Sequence, residues 1–216
     1  METKENIIEI LIIIFASIIL GLAVSFFEKS FSAVLFSVIC FLIIISLNVL
    51  AKKSIAYYFE TDVTTKFWSL YQIWFTKSSH FKRALPMFWI PLFISFLSKG
   101  LFFWLAILEF DFKPKTERVS RRHGLYRFTE VSEWHMAVIA SAGIIINLLF
   151  AIFGYLASGY IQGAEIFAKL SIYYAFWSIV PLSSLDGSRI LFGSRILWIA
   201  MVAITTIFLG YSIVII

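Results

Sequence analysis

Pro181-Leu-Ser-Ser-Leu-Asp-Gly-Ser-Arg-Ile-Leu191 joins two apolar runs late in the sequence. Proline cannot continue a helix, so the run before it ends near Pro181. Asp186 then opens the next element, and two readings stand side by side. An ionisable group at the edge of a buried membrane bundle is a functional candidate by default. An aspartate at that point is also a good helix N-cap, its carboxylate accepting backbone N–H bonds.

The runs on either side set the solvent. Of 216 residues, 61% are hydrophobic and 14% charged. Soluble domains carry about 45–50% apolar and about 25% charged residues. The chain therefore reads as one membrane-embedded domain over 1–216. A span needs roughly 20 apolar residues. Residues 7–27, 31–50, 135–158, 166–185 and 196–216 meet that length, and the second helix is expected to run on into Ala51–Phe59. The first run lacks a small-residue cleavage site and reads as an anchor.

Residues 87–108 read as transmembrane or re-entrant. They are long enough to cross, but Pro91, Ser95, Ser98, Lys99 and Gly100 sit near their middle. A lysine at a helix centre costs about 2.5–3.5 kcal/mol on insertion scales. Loop charge favours re-entrance. If 87–108 crosses, the six basic residues of 51–86 and the six of 109–134 fall on opposite sides. If it does not, these twelve join Lys4, Arg189 and Arg195 on one face, as the positive-inside rule requires. The expectation is an all-α polytopic protein of five full spans plus a re-entrant segment, or six spans, with a cytoplasmic N-terminus in the cell membrane. Thr61–Phe75 is rich in β-branched and aromatic residues and reads as a short interfacial β-hairpin or edge strand, with an interfacial helix as the alternative. Ser132 is the expected N-cap of the helix that follows the polar loop.

The net charge of +5 sits at membrane edges, which fits orientation and lipid contact and carries no nucleic-acid signal. The single cysteine, Cys40, excludes an intrachain disulfide. His80, His123 and His135 have no paired His or Cys at ligand spacing. Gly143, Asn147, Ala151, Gly154 and Ser158 form a small-residue stripe at helical spacing, suited to close helix packing with the Asn147 amide bonding across the interface.

Three segments together resemble the site-2 protease family of intramembrane zinc enzymes. Pro181, Leu185, Asp186 and Gly187 match the family's Asn-x-x-Pro-x-x-x-Leu-Asp-Gly motif, with Ser178 in place of Asn. Ala142, Gly143 and Asn147 match Ala-Gly-Pro-x-x-Asn, with Ile144 in place of Pro. The His-Glu-x-x-His motif aligns with Asn48-Val49-Leu50-Ala51-Lys52, so both histidines and the glutamate are replaced. The resemblance covers roughly residues 35–200. It implies that positions 48–52 and 186 meet at one depth. Because a catalytic zinc needs three protein ligands, it also implies that zinc is absent. Lys52 is then the expected counter-charge of Asp186, with Lys53, Lys99 and Arg189 as rivals. The implied function is a catalytically inactive relative that binds transmembrane segments or serves as a scaffold in a membrane complex. The alternatives are a protease recruiting His80, His123 or His135 as ligands, and an unrelated transporter or complex subunit in which Lys99 and Asp186 line a pathway. Expected partners are membrane lipids and another membrane protein.

Overall fold

In a computed structural model, the described residues are 2–28, 30–72, 80–114 and 131–214, with backbone only at 2–4, 71–72 and 80–84. Helix dominates the described residues. Among the described residues, four helices are long and apolar enough to cross a membrane. They are α1 (Glu2–Val24), α2 (Phe31–Tyr58), α4 (Glu133–Ala157) and α7 (Arg195–Val214). Between them lie α3 (Ile90–Leu97), α5 (Ala164–Ser178) and α6 (Asp186–Gly193), with strands β1 (Thr61–Phe67), β2 (Ser69–Gln72), β3 (His80–Pro86) and β4 (Leu108–Pro114).

α1 and α2 run antiparallel and in close contact. A Cβ on Gly21 would lie 2.4 Å from Val38 Cγ2 and 2.8 Å from its Cα, so only glycine fits there. α2 has 28 residues, or about 42 Å at 1.5 Å per residue, against about 30 Å of hydrocarbon. Twenty residues counted from Phe31 end at Leu50, so the Lys52–Lys53 pair falls about one turn from that boundary. α5 differs from the expected span 166–185. It has 15 residues and stops at Ser178, about 22 Å of helix. Pro181 and a left-handed Ser183 (φ 46°) then turn the chain back into α6.

Residues 87–108 form neither a long helix nor a strand throughout. α3 is eight residues long and ends in a Schellman-type reversal: Gly100 N–H donates to Ser95 O (2.9 Å) and Lys99 N–H to Phe96 O (3.2 Å). Lys99 takes the left-handed position at φ 52°. Ser95 Oγ donates to Ala23 O near the end of α1 (2.6 Å), and residues 101–107 lead without helix or strand into β4.

Within Thr61–Phe75, 61–67 and 69–72 are strands as read, but they pair with other segments and not with each other, and 73–75 lie outside the described residues. β1 pairs antiparallel with the distant β4, from Thr61 opposite Pro114 to Phe67 opposite Leu108. β2 pairs with β3, from Ser69 opposite Pro86 to Gln72 opposite His80. Trp68 bridges the two, donating from N–H to Ile107 O (2.8 Å) and accepting at O from Met87 N–H (3.0 Å). A local richness in β-branched and aromatic residues signals a strand but says nothing of a partner some forty residues away.

α4 starts as read: Ser132 Oγ accepts from His135 N–H at 3.2 Å. At its far end, a Cβ on Gly154 would sit 3.1 Å from Ala164 O and 3.2 Å from Ala168 Cβ, which seats α5 closely against it. The main core lies between α1, α2 and the β1–β4 sheet, with Leu20, Phe41, Ile44, Ile45 and Ile107 fully buried.

Candidate functional site

The site gathers where α2, α4, α6 and β4 converge. Its centre is an ion pair: Lys52 Nζ lies 2.5 Å from Asp186 Oδ2. Lys52 has no exposed surface, and Asp186 is 6% exposed. A buried charge is stable only when paired, and here each group supplies the other's partner. The Lys52 ammonium also sits 3.2 Å from the centroid of the Phe110 ring, so β4 contributes a cation–π contact from a third element.

Each element has a local reason to place its group. Lys52 follows Asn48 by four residues on α2, which sets both on one face. That face meets α4 at Gly143. A Cβ there would lie 2.5 Å from Lys52 Cε, 2.7 Å from Asn48 Nδ2 and 2.8 Å from Asn48 Oδ1. Glycine at 143 is therefore what lets the lysine stem pass. Asp186 occupies the first turn of α6, but the capping reading does not hold. Leu185 is the residue at the cap, and it makes no side-chain cap bond. Gly187 holds the turn: a Cβ there would lie 2.1 Å from Ile179 O. Leu185 is buried with Trp68, Met87 and Ala106, which ties the turn to the strands. Pro181 is exposed, and Val49 is buried beside the site.

Other expected residues go elsewhere. Asn147 is fully buried, but the bond to α5 is made by its backbone carbonyl, which accepts from Ser171 Oγ at 2.8 Å. The side-chain amides of Asn48 and Asn147 have no hydrogen-bond partner among the described residues. Of the rival cations, Lys53 pairs with Glu9. Arg189 stacks at 5.3 Å from the Phe112 ring and approaches Met136 Sδ. Lys99 is exposed at the turn after α3, where Gly100 lies against Phe27 beyond the end of α1. The His135 ring stacks on Phe59 at 4.4 Å. His123 and the side chain of His80 lie outside the described residues. Among the described residues, no group of three or more His, Cys, Asp or Glu side chains converges as a metal site would require.

Two polar features beside the pair escaped the sequence reading. Glu9, on α1, is 7% exposed. Its carboxylate accepts from Thr65 N–H (3.1 Å), from Thr65 Oγ1 (2.6 Å) and from the Lys53 ammonium. Consecutive lysines thus clamp the end of α2 from opposite sides, Lys52 toward α6 and Lys53 toward α1. Glu109 on β4 accepts from Ser184 Oγ, tying the sheet to the turn that carries Asp186. The one sequence signal for Glu9 is a carboxylate inside an otherwise apolar run.

Compared with protein-family models, with curated proteins and with solved structures, the chain gives no significant match.

Proposed function

We propose that this chain is a catalytically inactive, site-2-protease-like membrane protein that binds transmembrane segments or acts as a scaffold in a membrane complex. The observation that carries the reading is the Lys52–Asp186 pair. In the resemblance, position 186 holds the third zinc ligand and position 52 the second. A protonated lysine offers three donors and no lone pair, so it cannot ligate. Its positive charge also occupies the carboxylate that a cation would use. Asn48 and Val49 replace the first histidine and the glutamate. One carboxylate beside an ammonium does not fit zinc, which needs three protein ligands and an open position. On this reading nothing at the site activates a water.

Binding survives such a loss because it draws on other parts. The β1–β4 sheet stands beside the pair, and a sheet edge takes up an extended segment by main-chain hydrogen bonding. The chain sits in the cell membrane with its N-terminus cytoplasmic, which gathers the basic loops on one side. The re-entrant course of 87–108 follows from the same placement, because α3 turns back at Lys99–Gly100 and its continuation rejoins the sheet.

Affinity capture from native membranes with mass spectrometry tests the reading. It predicts one or a few integral membrane proteins recovered intact, in amounts that fall when the β4 edge is altered by Phe112→Pro. Recovery of cleaved fragments in place of intact partners, or of no membrane protein at all, would refute it.

A further inference from the structure

Away from the charge pair, α4, α5 and α7 enclose a cleft of about 270 Å³. Ala151, Ile152 and Leu156 of α4, Ile172 of α5, and Ile207 and Phe208 of α7 form its walls. Tyr155 and Tyr211 close one end. Their rings stand 5.2 Å apart at 81°, edge to face.

The depth of this end can be read from the helices. α7 begins beside the start of α4, where a Cβ on Gly193 would meet Glu133 O at 2.3 Å. The contact between Tyr155 and Tyr211 shows that the two helices also finish together, so they run parallel. Tyr155 lies two residues before the end of α4, and Tyr211 three before that of α7. Tyrosines at span ends mark the water–lipid interface. The cleft therefore has a polar end at headgroup level and apolar walls running into the hydrocarbon, the same polarity gradient as a lipid.

Size decides between occupants. The cleft falls just below the roughly 300–1,000 Å³ of ordinary small-molecule pockets. A helix, about 10–12 Å across with its side chains, is too wide to enter. α7 also has the least protein around it: 17% of its span window is buried, against 39%, 39% and 50% for α1, α2 and α4. An unfilled gap at its end would forfeit dispersion contacts on both walls.

We propose that the cleft binds one acyl chain of a membrane phospholipid. The Tyr155–Tyr211 hydroxyls meet its ester, and the chain wedges the end of α7 against α4 and α5. This site is separate from the Lys52–Asp186 pair and stands whether or not the chain binds transmembrane partners.

Native mass spectrometry of protein delipidated in detergent and then returned to dioleoyl phosphatidylcholine vesicles tests the proposal. The expected result is one lipid retained per chain on re-extraction. Ile207→Trp and Ile152→Trp, both at partly exposed positions, fill the cleft and lower the retained fraction at least fivefold. Tyr155→Phe, which keeps the ring, lowers it about twofold or more. Equal retention in wild type and both tryptophan variants, retention of no lipid by the wild type, or a second protein chain held in its place would each overturn the proposal.

Discussion

Lys52 shows how one side chain ties several elements together. Its stem passes Gly143, its ammonium lies on Phe110, and its charge ends on Asp186. Removing one member of a buried pair leaves the other uncompensated, at about 3–5 kcal/mol, whereas replacing both by apolar groups is often neutral. Lys52→Met and Asp186→Leu are thus each expected to lower stability in detergent by about 3 kcal/mol or more, and the double variant by clearly less than either. Chemical unfolding of the four proteins measures this, and additive losses would mean that the pair is not coupled. Gly143→Ala is expected to cost about 1–3 kcal/mol by overpacking, because the new methyl meets Lys52 and Asn48 at 2.5–2.8 Å. The same unfolding assay checks it. The Leu185-Asp186-Gly187 signature and Gly143 were legible in the sequence because their roles are local: a turn that excludes Cβ, and a close helix approach. The counter-charge was legible through the resemblance, which sets Lys52 where the second zinc ligand would stand, and the structure pairs Lys52 with Asp186. Without that alignment, choosing Lys52 over Lys53, Lys99 and Arg189 takes the relative rotation of three helices.

At the scale of elements, the sheet and its strap to α1 matter most. Glu9 closes three contacts on Thr65 and Lys53. Glu9→Ala is expected to raise hydrogen exchange of the 61–67 segment at least tenfold, with α4 unchanged. Equal exchange in both proteins would show that the carboxylate holds nothing. The sheet also carries an acid-sensitive contact. Lys66 donates to Asp111 at 2.9 Å across the β1–β4 pair. That hydrogen bond holds the Asp111 carboxyl below its usual range, against the opposing effect of burial and with help from the charges of Lys66, Lys113 and Arg189. A carboxyl depressed in the folded state contributes stability above its unfolded value of about 3.9 and loses it as pH falls through the folded value. Protection of the 108–114 segment, corrected for intrinsic exchange, is therefore expected to decline below about pH 4, and Lys66→Met to remove that dependence. Because both side chains are about half exposed (52% and 40%), the effect is small. Hydropathy revealed α1, α2, α4 and α7, since a span is a local property of composition. It overextended α5, because an apolar turn such as Ile179–Leu182 reads like helix until Pro181 and Ser183 bend it. It missed the β1–β4 pairing altogether, since the strands lie some forty residues apart.

At the scale of the whole molecule, the described residues form a helical membrane protein in which α2, α4, α6 and β4 meet at a buried charge pair. The central claim is that side chains occupy the place where the resemblance puts a metal. Its most direct test is elemental analysis of protein purified from membranes without chelator and then equilibrated with excess zinc and passed through a desalting column. The account predicts far less than one zinc per chain, unchanged in Asp186→Asn. One tightly held zinc per chain that disappears in Asp186→Asn would contradict it.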